Sequence, residues 1–392
     1  MNEVRNMRSD RMVKAAVLVE PGRLEIREYP YPTLEPGAAI LKVEMCGICG
    51  TDKHTFKGEI QQYGGSEISR KIPFPIVLGH EVVGIIAELP KDGEPIRDYY
   101  GEVLKEGDRV VLGANIVCGK CYYCRHGFPY YLCENMEDYG NSLGASRPPH
   151  LFGGWAEYMY ILPGSNLYKV PEGLPPRIAV LTELATLTNS LDVAKQFSTV
   201  ANEGFRFGDT VVVQGAGPAG LVHIVKARML GAGDIIAIDV AQERLEAAKE
   251  FGADYVLNAK TTTVQERIDA VKGWTRGRGA DVVIECVGIP QVIPEGLEML
   301  RPGGMYIEPG NFVDMGEVPI NPHRHICTKN VRIIGVGGDH AASYGPIMKL
   351  FLRYKSILPL EKLVSHIYPL DQVEQAVKKS MEPDSRKVVI AP

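Results

Sequence analysis

Short apolar runs separated by glycine and proline occupy the chain from about residue 13 to about residue 175. Most of these runs are rich in valine and isoleucine, and turn signals such as Pro21-Gly22 lie between them; examples are KAAVLVE, LEIREY, AILKVEMCGIC, EVVGIIAEL, DRVVLGANIV and AEYMYIL. This texture predicts many short strands with few helices between them. We therefore expect a barrel-like β domain in this part of the chain.

The pattern changes after Gly208, where strand-like runs alternate with segments of helical periodicity. TVVVQ precedes the helical LVHIVKARMLGA, IIAID precedes ERLEAAKEFGA, and YVLN, ADVVIECVG and GGMYIEPG again resemble strands. Such alternation predicts a doubly wound parallel sheet, whose buried central strands require nearly continuous apolar runs. The expected fold class is therefore α/β. After Asp339, one helical stretch and a terminal KVVIA strand are expected to return to the first domain.

Composition limits the kinds of partner that the chain can have. Its 392 residues suit two domains, and 43 basic against 48 acidic residues give a formal net charge of −5. The charges are interspersed, so we expect neither a nucleic-acid nor a membrane partner. No window reaches the roughly 18 to 20 apolar residues of a membrane span, and the first residues lack an apolar signal core. The expected location is the cytoplasm.

A glycine-rich turn marks a candidate dinucleotide site. Gly215, Gly217 and Gly220 lie in GAGPAG, after a strand-like run and at the start of a helix that begins with Pro218 and Ala219. These glycines permit a tight turn, close approach to a pyrophosphate and close packing of helix on strand. Asp239 ends the next strand, where a carboxylate binds a ribose diol and repels a 2′-phosphate. The pattern therefore predicts NAD rather than NADP. Arg244, five residues later, is interpreted as a solvated surface group.

Four of the eight cysteines are crowded into one segment, namely Cys118, Cys121, Cys124 and Cys133. Four thiolates on one loop match a closed tetrahedral zinc site, which leaves no position for a substrate. We therefore expect a structural zinc that fixes this loop.

Cys49 in CGICGTDKH and His80 in LGHE each follow a strand-like run, where rigid elements can direct ligands toward a common point. A catalytic zinc takes three protein ligands and keeps its fourth position for water or substrate. Spacing does not identify the third ligand, since Cys46, Glu81 and Glu183 all have suitable chemistry.

The order of these motifs adds a resemblance. CGICGTD-x-H, GHE-x2-G, the four-cysteine loop, GDxVVVxGAGPxG and the acidic strand end resemble the zinc-containing alcohol dehydrogenase branch of the medium-chain dehydrogenase/reductase superfamily, over about residues 13–392. The resemblance implies a GroES-like catalytic domain formed by residues 13–182 and completed by 340–392. It also implies a Rossmann domain formed by residues 183–339.

The resemblance implies roles for the residues around the catalytic metal. Cys49 and His80 would bind zinc, while Asp52 would hydrogen-bond the ligating imidazole. Glu81 would be an acidic residue close to the zinc. Thr51 and His54 match the family's proton relay, in which a hydroxyl, the cofactor ribose and an imidazole carry the proton to solvent.

The third zinc ligand is also implied by resemblance. In the polyol, threonine and butanediol dehydrogenase subgroups it is a glutamate in a Glu-Pro-Leu segment, which matches Thr182-Glu183-Leu184. Glu183 is therefore the expected ligand, directly or through water, with Leu184 in place of the family's proline. Two zinc ions per chain follow from the two sites.

Other family features are less direct. Lys387 matches a position that contacts the cofactor pyrophosphate. Eight residues rather than seven separate Cys124 from Cys133, and segments 91–103 and 191–207 look inserted. The strand-like NVRIIGV at 330–336 offers a sheet edge, so we expect a homodimer or a homotetramer.

The function expected from these features is an NAD-dependent zinc oxidoreductase that acts on a secondary alcohol, diol, polyol or amino alcohol and also reduces ketones. One alternative is an aldehyde or glutathione-adduct dehydrogenase of the same superfamily, which usually has a third cysteine ligand. Another is a non-catalytic NAD-binding scaffold protein with only structural zinc.

Overall fold

A computed structural model describes residues 11–59, 61–62, 70–196, 204–338 and 341–392. Its strands are β1 Met12–Glu20, β2 Arg23–Pro30, β3 Ala39–Gly47, β4 Gln61–Gln62, β5 Arg70–Lys71, β6 Ile76–Val77, β7 Glu81–Glu88, β8 Arg109–Leu112, β9 Asn115–Ile116, β10 Glu137–Asp138, β11 Tyr158–Ile161, β12 Leu167–Lys169, β13 Val211–Gln214, β14 Ile235–Asp239, β15 Tyr255–Asn258, β16 Ala280–Glu285, β17 Leu300–Glu308, β18 Arg332–Gly335, β19 Val364–Tyr368 and β20 Lys387–Ile390. Its α-helices are α1 Gly50–Lys57, α2 Tyr122–Arg125, α3 Pro176–Ala179, α4 Thr182–Thr186, α5 Asn189–Gln196, α6 Pro218–Met229, α7 Gln242–Glu250, α8 Val264–Trp274, α9 Val292–Met299, α10 Tyr344–Tyr354 and α11 Val373–Ser380.

The chain divides into two compact units, Met1–Glu183 with His340–Pro392, and Leu184–Asp339. Glu183 therefore belongs to the first unit, one residue beyond the domain boundary expected from the sequence. The C-terminal strand β20 pairs antiparallel with β3 and parallel with β19, so the end of the chain completes the sheet of the first unit.

The first unit is rich in short strands, as its sequence texture predicts. One sheet has the order β12-β8-β7-β3-β20-β19, with β11 also paired to β3, and a second has the order β2-β1-β6. Val13, Ala15 and Val17 are buried at alternate positions of β1, which directs them to one face of the strand. Trp155 and Phe152 are among the fully buried aromatic side chains of the same core.

The second unit contains a six-stranded parallel sheet of order β15-β14-β13-β16-β17-β18. The first strand of the unit, β13, lies in the middle, and the chain winds outward from it on both sides, as in a doubly wound fold. Val211, Val212 and Val213 are all completely buried, because helices cover both faces of a central parallel strand. The α/β fold class expected from the sequence is confirmed.

The two segments interpreted as insertions differ in how much can be described. Residues 189–196 form α5, whereas 197–203 lie outside the described residues. In segment 91–103, the Tyr100 hydroxyl accepts a hydrogen bond from the Gly345 N–H at 2.9 Å and donates to the Ala342 carbonyl at 3.1 Å. This segment is therefore attached to the start of α10. Among the described residues, no helix combines the length and the apolar character that crossing a membrane requires.

Candidate active site

Helix α1 begins immediately after the residue expected to bind the catalytic zinc. Cys49 precedes the first helical residue, with extended dihedral angles of φ −85° and ψ 167°. Its N–H donates to the Asp52 carboxylate at 2.8 Å, so the third residue of the helix closes back on the residue before it. This contact satisfies a backbone N–H that the first turn of a helix would leave unpaired. The cap therefore fixes Cys49 and Asp52 relative to each other.

Asp52 also joins α1 to the loop that carries His80. The side chain of Asp52 is completely buried, and its second oxygen accepts the Gly79 N–H at 3.2 Å. The hydrogen bond expected between Asp52 and His80 is not formed, since 3.9 Å separates the carboxylate oxygen from Nδ1. Gly79 has a left-handed φ of 91°, and a Cβ there would lie 2.6 Å from the Cys46 sulfur. The approach of this loop to its neighbours therefore requires glycine.

Anionic groups surround the buried imidazole of His80. Burial opposes its protonation, but the adjacent Cys49 thiol, which hydrogen-bonds the ring, and the carboxylates of Asp52 and Glu183 raise the pKa of His80 well above its ordinary value. Burial raises the pKa of Glu183 to about 7, against the opposing charge of His80. A thiol, a buried imidazole and a carboxyl group that interact with one another form a donor set that suits Zn²⁺. The residues present therefore fit the metal.

Lys387 is in different surroundings from those expected. It is 2% exposed, and its ammonium donates to both Glu81 oxygens, at 2.6 and 2.7 Å, and to the Ile48 carbonyl at 3.1 Å. An ammonium has three hydrogens, and these three acceptors use all of them. In this structure Lys387 is thus a buried partner of Glu81, and the pyrophosphate contact stays a prediction that these hydrogen bonds do not support. Sequence reasoning missed the pair because its two members are 306 residues apart.

Thr51 and His54 lie one helical turn apart on α1, so their side chains project from the same face. The Thr51 hydroxyl is 3.8 Å from the Cys49 sulfur. His54 Nδ1 is 2.6 Å from a carboxylate oxygen of Glu59, a contact that the sequence analysis did not anticipate. This contact could have been predicted from the sequence, because Glu59 is an acidic residue two positions beyond the end of the helix.

The four clustered cysteines come together as expected. Within the described ranges, the only group of three or more His, Cys, Asp or Glu residues whose metal-binding atoms all lie within 4.8 Å of one another is Cys118, Cys121, Cys124 and Cys133. A Zn–S bond of about 2.3 Å in a tetrahedron requires sulfurs about 3.8 Å apart, which this spacing allows. The set Cys49, His80 and Glu183 is not as compact.

Backbone N–H groups near the four-cysteine cluster favour the thiolate form of Cys118. A hydrogen bond from the Lys120 N–H is the largest influence on Cys118, and it lowers the pKa of this thiol to about 6. The Cys118 N–H in turn donates to the Cys133 sulfur at 3.3 Å. Backbone N–H groups that point at sulfur are typical of loops that hold a metal thiolate.

The glycine-rich turn of the second unit has the backbone features of a dinucleotide site. Gly215 follows β13 with φ 90°, and a Cβ on Gly220 would lie 1.9 Å from the Gly215 carbonyl oxygen. In contrast, a Cβ on Gly217 would meet no atom within 4 Å. Gly217 thus borders open space at the N-terminus of α6, whose first residues are Pro218 and Ala219, where phosphates bind.

Asp239 lies at the end of β14 beside this turn. Its two oxygens accept the N–H groups of Ala216 at 2.8 Å and Ala241 at 2.9 Å, which fix the orientation of the carboxylate. Arg244 was expected to be solvated, but its side chain is 29% exposed and lies 3.9 Å from Asp239. Arg244 is therefore only partly solvated, beside the carboxylate at the end of β14.

Comparisons with known proteins cover both units. The family described as alcohol dehydrogenase GroES-like domain matches residues 35–172, and the family described as zinc-binding dehydrogenase matches residues 218–353. The chain is 32% identical to 5-exo-hydroxycamphor dehydrogenase of Pseudomonas putida over 93% of this chain and 94% of the relative. It is also 32% identical to L-threonine 3-dehydrogenase of Pyrococcus horikoshii, over 97% and 99% of the two chains.

A solved structure gives the same result. The alcohol dehydrogenase of Thermotoga maritima aligns with a TM-score of 0.86 and 33% sequence identity, over 97% of this chain and 100% of the other. The resemblance inferred from the sequence motifs is therefore confirmed over nearly the full length. The chain belongs to the zinc-containing alcohol dehydrogenases of the medium-chain dehydrogenase/reductase superfamily, enzymes that use zinc and NAD(H).

Proposed function

We propose that this enzyme oxidises a secondary alcohol, diol, polyol or amino alcohol with NAD, and reduces the corresponding ketone in reverse. The observation that carries the proposal is the neighbourhood of His80, where the Cys49 thiol hydrogen-bonds the imidazole and the Glu183 carboxylate lies close enough to raise the pKa of the ring. The relatives that act on threonine and on hydroxycamphor support a hydroxyl-bearing substrate. The shape of the substrate pocket determines which member of this class the enzyme accepts.

In this proposal Cys49, His80 and Glu183 hold the catalytic zinc. Of the other candidates for the third ligand, Glu81 has both oxygens engaged by Lys387. The Cys46 thiol is fully buried and donates to the Gly47 carbonyl at 3.5 Å, and burial raises its pKa well above the ordinary value. The carboxyl of Glu183 is the remaining group of suitable chemistry. The zinc supplies Lewis acidity that polarises the substrate oxygen when bound.

The surrounding residues orient the ligands and move the proton. Asp52 anchors the backbone at Cys49 and at Gly79, so that it holds the two ligand-bearing segments together. Lys387 neutralises Glu81, which keeps a second free carboxylate away from the ligand set. Thr51 and His54 would carry the proton of the alcohol toward solvent.

We propose that the second unit binds NAD at Gly215, Gly217, Pro218, Ala219 and Gly220. Asp239 binds the adenosine ribose diol and disfavours the 2′-phosphate of NADP. Its fixed carboxylate, held by two backbone N–H groups, supports this preference. Asp239→Ala should lower the ratio of kcat/KM with NAD to kcat/KM with NADP.

The remaining assignments concern the whole chain. We propose that residues 13–182 with 340–392 form the catalytic domain and that 183–339 form the Rossmann domain. Cys118, Cys121, Cys124 and Cys133 bind a second, structural zinc. We further propose that the protein is cytoplasmic, since a cysteine-rich loop without disulfides suits a reducing compartment, and that it forms a homodimer or homotetramer.

Two alternatives remain distinguishable. An aldehyde or glutathione-adduct dehydrogenase usually has a third cysteine ligand, whereas the position here has Glu183. A non-catalytic scaffold would need no converging Cys49, His80 and Asp52 in a buried site.

The experiment is a panel of secondary alcohols, diols, polyols and amino alcohols, scored with NAD by the absorbance of NADH. The enzyme should oxidise at least one of these classes, and Cys49→Ser should abolish that activity. Absence of NADH formation with every member, for a folded protein with both zinc ions bound, would overturn the proposal.

A further inference from the structure

Glu59 meets His54 through the turn that ends helix α1. Gly58 adopts a left-handed φ of 87° and donates its N–H to the Thr55 carbonyl at 3.1 Å. The next N–H, that of Glu59, donates to the His54 carbonyl at 2.9 Å. These bonds satisfy carbonyls that the last turn would leave unpaired, and they direct Glu59 back along the helix. The Glu59 carboxylate then lies 2.6 Å from His54 Nδ1.

This contact determines which ring nitrogen carries the hydrogen. An ionised carboxylate only accepts hydrogen bonds, so Nδ1 must be the donor. In the neutral ring the lone pair is then on Nε2. We propose that Glu59 is a positioning residue of the proton relay, which holds His54 in the tautomer that accepts a proton at Nε2. The inference rests on the proposed function, because the relay through Thr51 and His54 belongs to it.

The proton balance gives this pairing a use. Oxidation transfers a hydride from the alcohol carbon to NAD⁺ and leaves one proton, which His54 takes at Nε2. The resulting imidazolium has hydrogens on both nitrogens, and the carboxylate of Glu59 partners the one on Nδ1. Loss of the Nε2 proton to water then restores the starting tautomer without a ring flip. The ring is therefore ready for the next turnover.

The exposure of the pair argues against a purely structural purpose. The side chains of His54 and Glu59 are 27% and 46% exposed. Water screens such a pair, so it contributes little to stability. Orientation of the imidazole is an effect that survives screening, because it depends on the direction of one hydrogen bond.

The first test reads the tautomer directly, without turnover. In the full-length enzyme labelled with ¹⁵N-histidine, the nitrogen signals of His54, assigned by their loss in His54→Ala, should show hydrogen on Nδ1. In Glu59→Leu they should move toward the Nε2-protonated form that a histidine in water favours. Glu59→Gln keeps an acceptor oxygen and should retain the original tautomer. An unchanged His54 tautomer in Glu59→Leu would overturn the inference.

The second test measures alcohol oxidation. Glu59→Leu should lower kcat by about tenfold, the lower end of effects for groups that orient a functional residue, with KM for alcohol little changed. Glu59→Gln should recover most of the loss. Lys57→Gln is the matched control, an exposed change on the same helical turn that should leave kcat unchanged.

The double variant separates the inference from the function on which it rests. If Glu59 acts through His54, then adding Glu59→Leu to His54→Ala should cause no further loss of kcat. A further tenfold loss in that background would overturn the inference while the relay stands. Full kcat in His54→Ala would instead remove the relay from the proposed function, and the role of Glu59 with it.

Discussion

Asp52 shows how one buried side chain sets the geometry of a site without touching the substrate. Its two oxygens accept the N–H groups of Cys49 and Gly79, and the residue after Gly79 is His80. A carboxylate can accept at both oxygens, whereas an amide accepts at only one. The spacing of the two ligand-bearing segments therefore depends on the chemistry of a single residue.

Asp52→Asn tests this dependence. The amide would present N–H hydrogens to one of the two backbone N–H groups, so we expect the affinity of the catalytic zinc to fall by about 10- to 100-fold. Competition with a chelator measures that affinity, and Lys57→Gln serves as a control on the same helix. Unchanged zinc affinity in Asp52→Asn would contradict the role given to the carboxylate.

A second residue-scale prediction concerns a carboxyl pair at the ends of β16 and β17. Burial, followed by the charge of Glu308, raises the pKa of Glu285 to about 8. Because the folded state binds this proton more tightly than the unfolded chain, the resulting stabilisation is complete below about pH 4.5 and is lost as pH rises through about 8. The slope cannot exceed about 1.4 kcal/mol per pH unit for one proton.

Glu285→Gln should therefore flatten the decrease in unfolding free energy across this range. Urea denaturation at several pH values measures the slope in the wild type and the variant. Glu243→Gln, a change at an exposed glutamate of the same unit, should keep the wild-type slope. Identical slopes in wild type and Glu285→Gln would refute the assignment of this pH dependence to Glu285.

The sequence predicts which site residues lie together wherever they belong to one short motif. Asp52 and His54 lie on one helix and Cys49 immediately precedes it, so the sequence alone places these three residues close together. Lys387 and Glu81 are paired across the chain, and no local pattern indicates which buried carboxylate a distant lysine will meet. Burial of Lys387 is tolerated because its ammonium is fully hydrogen-bonded.

At the scale of elements, the strands of the second unit were the most predictable feature. A short, continuous run of β-branched residues, such as the three buried valines at 211–213, predicts a buried parallel strand. The helices α3, α4 and α5 have only 4, 5 and 8 residues, too few for helical periodicity to stand out. Leu184, which replaces the family's proline, lies within α4 and is buried.

The four-cysteine loop gives the clearest prediction at this scale. Cys118→Ser should lose the structural zinc and lower the thermal midpoint, since a loss of about 2 kcal/mol shifts Tm by roughly 5 °C in a unit of this size. Activity per folded chain should survive, because this site has no open position for substrate. Scanning fluorimetry combined with zinc analysis makes the measurement. A variant without that zinc that is as heat-resistant as the wild type would show that the loop does not need the metal.

At the scale of the whole molecule, one sheet edge stands out. Strand β18 ends the parallel sheet of the second unit, and the side chain of Ile333 on it is 47% exposed. An open strand edge with an apolar side chain favours pairing with a second copy. This supports the proposed homodimer or tetramer.

Light scattering should find a dimer or a tetramer at working concentration. Ile333→Lys places a charge on the edge and should shift the population toward monomer. Ile357→Lys, at a more exposed isoleucine of the first unit, is the control and should leave the assembly unchanged. A wild-type protein that is monomeric throughout would exclude the proposed pairing.

The zinc content per chain tests the central claim most directly, because the account requires two metal sites with separate ligands. Mass spectrometry of the dialysed wild type should give about two zinc ions per chain, and Cys49→Ser about one, with the protein still folded. Glu183→Ala should also lose most of its catalytic zinc if the carboxylate binds directly. Retention of about two zinc ions in Cys49→Ser would contradict the assignment of the catalytic site.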